Sequence, residues 1–197
     1  MLIFAEEKLT YLAVPKTGST AVEAKLAPRA TSVLRNPPAM KHMPLYRYNR
    51  FLVPLLDKTG HGELETVAVV RNPIDWVGSW YRYRKREDLK NTPNSTLEMN
   101  FEEFLTGYLQ ENQPAFAKVG SQSHFLTRNG KLRPTHLFQY EEFPAFLAFM
   151  EERLCQKIEL SRHNVSPLEE MEATEETLQR FEEKYALDFE LWESASR

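Results

Sequence analysis

An α/β layered fold with a parallel sheet is the fold class this sequence predicts. Three observations lead to it. Short β-rich runs alternate with helical stretches along the chain. One run, Thr66 to Val70 (TVAVV), is dominated by β-branched residues without polar alternation, as a strand covered on both faces requires. Helix-start chemistry, Asn72 followed by Pro73, comes directly after that strand.

Taken in order, Leu9 to Val14 (LTYLAV) predicts the first strand, running into Pro15 and a glycine-containing turn. A helix is expected from about Ser19 to Leu26, and Thr31 to Leu34 offers a second strand. The proline-rich NPPAMKHMP segment reads as a loop, and Leu45 to Leu56 as a helix. After the Thr66–Val70 strand, a helix runs from Pro73 to about Arg86. Asn100-Phe-Glu-Glu103 has the spacing of a capping box opening a helix towards Leu109. His136 to Tyr140 predicts another buried strand, followed by a helix through Phe146 to Leu154. Ser166-Pro167-Leu-Glu169 is a further capping-box candidate, leading into an acidic segment. There Leu178, Phe181, Tyr185 and Phe189 recur at helical spacing, a stripe that reads as core packing.

Bulk properties narrow the function classes. At 197 residues, with 42% hydrophobic and 27% charged residues, the chain suits one compact domain spanning 1–197. A net charge of -3 gives no global field for nucleic acid or an anionic membrane, so neither is expected as a partner. Cys155 stands alone, which excludes a disulfide framework or a cysteine-based zinc site. The histidines have no ligand-like spacing, and no catalytic metal is expected. The apolar start is broken by Glu6, Glu7 and Lys8, so no signal peptide is read, nor any membrane-length run. A soluble, cytoplasmic protein is the expectation.

The first segment bearing chemistry is Pro15-Lys16-Thr17-Gly18-Ser19-Thr20, directly after the first strand. A strand-to-helix turn aims unpaired backbone N–H groups at one point, where the helix dipole also favours an anion. Gly18 permits close backbone approach. Thr17, Ser19 and Thr20 add hydroxyls, and Lys16 a mobile positive charge. A Walker A loop needs its lysine after the second glycine, and here the lysine precedes the segment's glycine. Read alone, the segment also fits an ordinary β–α turn with a Ser/Thr cap and an exposed lysine.

The second segment runs from Arg71 to Tyr81 (RNPIDWVGSWY). Arg71 stands where a buried parallel strand ends, the edge at which open α/β sheets bind ligands. Its guanidinium is suited to a two-point grip on phosphate. Ser79 lies two helical turns beyond Asn72 and returns to the same face.

Together the two segments resemble the 5′-phosphosulfate and 3′-phosphate motifs of sulfotransferases that use PAPS (3′-phosphoadenosine 5′-phosphosulfate). Gly120 to Leu126, Asn164-Val165-Ser166 and Tyr185 to Phe189 are similar to the carbohydrate-type, heparan-sulfate-type branch of that family. The resemblance implies a three-layer, P-loop-NTPase-like α/β fold with a central parallel sheet flanked by helices. It implies PAPS as co-substrate, adenosine 3′,5′-bisphosphate as product, and an acceptor that is a carbohydrate or small molecule. It gives Lys16 the contact to the phosphosulfate and to the leaving oxygen. Thr17, Gly18, Ser19 and Thr20 form the 5′ cradle, and Arg71 and Ser79 hold the 3′-phosphate. Arg128 to Lys131 is either a loop closing over the nucleotide or a plain basic turn.

Sulfuryl transfer to a hydroxyl calls for a general base, and His42 in the loop between the motifs is the candidate. His61 is its rival, with Glu63 and Asp75 as carboxylate alternatives; His42 also fits a surface position. Arg82, Arg84, Lys85 and Arg86 read as cations at a helix C-terminus, with an anionic acceptor groove as the alternative, and Trp76, Trp80 and Tyr83 as core packing, with stacking on a sugar or aromatic acceptor as theirs. Two other functions stay open: a P-loop-type small-molecule kinase, and a non-catalytic nucleotide-binding protein.

Overall fold

The computed structural model describes residues 1–128, 132–160 and 171–196. Its sheet is built from β1 (Leu2–Phe4), β2 (Leu9–Leu12), β3 (Ser32–Val33), β4 (Glu65–Val70) and β5 (His136–Gln139), in the order β3-β1-β2-β4-β5. The helices are α1 (Ser19–Leu26), α2 (Pro38–Lys41), α3 (Leu45–Arg47), α4 (Val53–Lys58), α5 (Pro73–Arg84), α6 (Phe101–Tyr108), α7 (Gln122–Leu126), α8 (Phe143–Leu154), α9 (Glu175–Lys184) and α10 (Ala186–Glu193).

The α/β layering is present, but the sheet is mixed rather than parallel throughout. β2, β4 and β5 are parallel, with Leu12 opposite Ala68 and Val70 opposite Gln139. β1 pairs antiparallel with both β2 and β3. The cause is local: residues 5–8 form a tight turn, with Lys8 in left-handed conformation at φ 51, that folds Leu2–Phe4 back onto Leu9–Leu12. The sequence reading leaves Leu2–Phe4 out of the sheet.

Alternation along the strands feeds two cores. Leu9, Tyr11, Val67 and Val69 pack with α1 and α8 on one face, against Val22, Leu26, Phe146 and Met150. Leu12, Ala68 and Val70 pack on the other, with Leu45, Tyr48, Phe125 and Leu191. Val67, Val69 and Val70 have no exposed surface, and each such side chain stabilises the fold by about 1.5–3 kcal/mol over exposure. A third, aromatic cluster joins α5, α6 and α9 around Trp76, Tyr81, Phe104 and Phe181.

The Asn100 capping box is formed in both directions, Glu103 N to Asn100 Oδ1 and Asn100 N to Glu103 Oε2, each 2.9 Å. The expected helix over Leu45–Leu56 is split by a π-helical segment at Tyr48–Leu52. The NPPAMKHMP loop carries the short helix α2. Phe181 is buried in the aromatic cluster, with Leu178, Tyr185 and Phe189 packed on it, so the C-terminal stripe is core, bent where α9 gives way to α10. Asn164-Val165-Ser166 and the Ser166–Glu169 capping box lie outside the described residues. No described helix is long and apolar enough to cross a membrane.

Candidate functional site

Adjacent parallel strands end at the same sheet edge, which is why two segments far apart in sequence meet. The Pro15–Gly18 turn leaves the end of β2, and Arg71 leaves the end of β4. A third strand contributes: Tyr140 follows β5 and donates its N–H to Val70 O at 2.6 Å. Trp76, on the first turns of α5, donates its indole N–H to Pro15 O at 2.8 Å and pins the two segments together.

Within the first turn, Lys16 and Gly18 both adopt left-handed conformation, at φ 64 and 74. Such a conformation costs a non-glycine residue about 1–2 kcal/mol, so Lys16 is held there by its surroundings. The Thr17 hydroxyl is buried and donates to Val14 O at 2.9 Å. It therefore braces the turn rather than facing outward. Ser19 is buried and Thr20 exposed, its hydroxyl accepting from Lys41 Nζ at 3.4 Å. Gly18 is the N-cap of α1, so the cap residue has no side chain to bond that end, and no other described side chain bonds it. The first N–H groups of a helix have no intrahelical partner, so this terminus favours an anion.

The cations gather around this turn. Lys16 Nζ lies 4.0 Å from the Tyr83 ring centroid and 5.5 Å from that of Trp80. Burial, with Arg71, Arg82 and Arg86 nearby, pushes its ammonium down to about pKa 8. Among the described residues it makes no hydrogen bond or ion pair. Arg71 lies over the Tyr140 ring at 4.7 Å, and its Nε is buried with no hydrogen-bond partner among the described residues. Ser79 is buried on α5, on the same helical face as Trp76, which touches Pro15, and Tyr83, which touches Lys16. The basic run at the end of α5 divides by role. Arg84 donates to Ala115 O at 2.5 Å and Lys118 O at 3.5 Å, while Arg82 and Arg86 add to the positive field at Lys16.

His42 stands beside the same turn. Its Nδ1 lies 2.7 Å from Ala13 O, and since a carbonyl only accepts, Nδ1 carries the proton and Nε2 is the basic nitrogen of the neutral ring. Burial lowers its pKa, opposed by the Ala13 bond and reinforced by the charge of Lys41. His61 and Glu63 are exposed and precede β4, at the opposite end of the sheet from Arg71. Asp75 sits in the first turn of α5. His136 bonds Glu65 Oε2 at 3.1 Å, also at the far end, and His124 packs against Tyr46. Arg128 lies over Tyr46 at 5.7 Å; His163 and residues 129–131 lie outside the described residues. Among the described residues no three His, Cys, Asp or Glu side chains are grouped to hold a metal.

Sequence reasoning missed three members of this site. Tyr140 ends the HLFQY strand, and its place at a parallel strand end was the available signal. Glu23 is buried behind the turn, bonded by Arg35 Nε at 2.5 Å and Lys41 Nζ at 3.1 Å. Burial works against its charge, but those two cations outweigh it and hold its carboxyl below the usual range. Gln122 pairs with the backbone of Arg71, a contact no local pattern encodes. Compared with family models, curated proteins and solved structures, the chain matches none.

Proposed function

We propose that the chain is a sulfotransferase, moving a sulfuryl group from PAPS to a hydroxyl or amine of a carbohydrate or small-molecule acceptor. The sheet and its helices would then form a three-layer, P-loop-NTPase-like frame. The observation that carries this reading is the convergence of Lys16 and Arg71. Two cations, one from each motif, stand at one sheet edge without an anionic partner among the described residues, beside an uncapped helix N-terminus. A donor with phosphates at its 3′ and 5′ positions fits that charge pattern.

PAPS supplies the sulfuryl group. Lys16 and the Gly18–Thr20 turn bind the 5′ end, while Arg71 and Ser79 bind the 3′-phosphate. The acceptor oxygen bonds to sulfur as the sulfur–oxygen bond to the 5′-phosphate breaks. That electron pair leaves on the phosphate oxygen, giving adenosine 3′,5′-bisphosphate, and the acceptor proton passes to His42 Nε2. Lys16 stabilises the charge growing on the leaving oxygen, an interaction stronger in the transition state than in the ground state.

Calorimetric titration with adenosine 3′,5′-bisphosphate, ADP, and ATP with Mg²⁺ tests the reading. Binding that depends on the 3′-phosphate and is lost in Arg71→Ala supports it. Preference for ATP with Mg²⁺ would replace it with a kinase.

A further inference from the structure

Behind Arg71 lies a buried polar chain to which the reading above gives no role. The Gln122 side chain, 1% exposed, pairs with the Arg71 backbone at both ends: Arg71 N donates to Oε1 at 2.9 Å, and Nε2 donates to Arg71 O at 2.7 Å. A side-chain amide thus does for Arg71 what a neighbouring strand's peptide does for a ladder residue. Gln122 opens α7, and that end of the helix is itself anchored. Asp188 of α10, 4% exposed, accepts from Gln122 N at 2.7 Å and Ser123 N at 3.2 Å through Oδ1, and from Ser123 Oγ at 2.5 Å through Oδ2.

The chain of contacts runs from Asp188 through Gln122 to the main chain from which the Arg71 guanidinium projects. An amide does this without adding charge. A carboxylate at the same place would face Arg71 O with no proton to donate and would draw on the guanidinium's charge. We infer that Gln122, backed by Asp188, is a positioning residue that aims Arg71 and so sets discrimination for a 3′-phosphate; this rests on the donor-site reading above.

The test is the ratio of affinities for adenosine 3′,5′-bisphosphate and ADP in the full chain. Gln122→Met should lower the wild-type preference for the bisphosphate about tenfold, the scale of one charged hydrogen bond. ADP affinity, which rests on the first turn, should stay within about twofold. Gln122→Glu keeps the size and the acceptor for Arg71 N, so it guards against a misfolded first variant, and it should lose the preference as well. Asp188→Leu should reproduce the loss. Asp188→Asn, which retains an acceptor for the two N–H groups, should restore the ratio. A wild type that prefers the bisphosphate, with folded Gln122 variants that keep that preference, overturns this inference and leaves the donor site standing. A wild type with no preference sinks the donor-site reading itself.

Discussion

Trp76 and Pro15 are 61 residues apart in the chain, yet the Trp76 indole N–H donates to the Pro15 carbonyl at 2.8 Å. Trp76 is 3% exposed and lies on the helix that follows Arg71, while Pro15 opens the turn that carries Lys16. This bond therefore adds a direct tie between the two cationic segments to the β2–β4 pairing that brings them together.

Trp76→Phe keeps the aromatic packing and removes that bond. The loss should cost about 0.5–1.5 kcal/mol, lowering the thermal midpoint by about 2–4 °C per kcal/mol. Bisphosphate binding should weaken as well. A midpoint and an affinity both equal to wild type would show that the bond does not hold the segments in register.

On the proposed function, Lys16 governs the alkaline side of donor binding. Burial lowers its ammonium to about pKa 8, and the protonated form is the one that would meet a phosphate. Affinity for adenosine 3′,5′-bisphosphate should therefore fall as pH rises through about 8. The folded pKa lies below the unfolded one, so the buried charge opposes folding below pH 8, and that penalty fades as pH rises towards 10.5. Lys16→Met should accordingly raise the thermal midpoint of the unliganded protein at pH 7 while weakening binding. Unchanged affinity between pH 7 and 9.5 would remove Lys16 from the phosphate site.

As the proposed base, His42 sets the acid side. Because its folded pKa lies below 6.5, turnover should hold constant below pH 6.5 before declining as the ring protonates. His42→Ala should lower kcat by about 10²–10⁴-fold with donor affinity unchanged. Full activity in that variant would pass the base to another group.

Gly18→Ala tests the turn. An added Cβ would lie 3.4 Å from the Phe143 ring and 3.5 Å from Tyr140, ordinary contact distances. The cost is therefore in the backbone, where φ 74 penalises a side chain by about 1–2 kcal/mol. Circular dichroism should show a native fold with a lowered midpoint; an unchanged midpoint would mean the turn relaxes.

Local chemistry was legible from sequence wherever neighbours in the chain decide it. The Ser19–Leu26 helix, the β-branched strand ending at Val70, the Asn72 cap and the Asn100 capping box all depend on contacts within a few residues. The two cationic segments were legible for the same reason, since each is a strand end followed by a helix start. The antiparallel strand Leu2–Phe4 was not, because three apolar residues have no periodicity to read and their partners are set by a turn.

What the sequence determined by itself is the set of parts: the α/β alternation, the two cationic turns and their order. Only the tertiary structure decided how those parts meet. Parallel pairing of β2, β4 and β5 brings their ends to one edge, and long-range bonds then assign each side chain its role. Thr17 turns inward to Val14, Tyr140 lies under Arg71, and His42 is fixed in one tautomer by Ala13. The physical reason is that hydrogen-bond partners and burial depend on which surfaces face each other across the sheet edge, and strand order, not residue order, sets that.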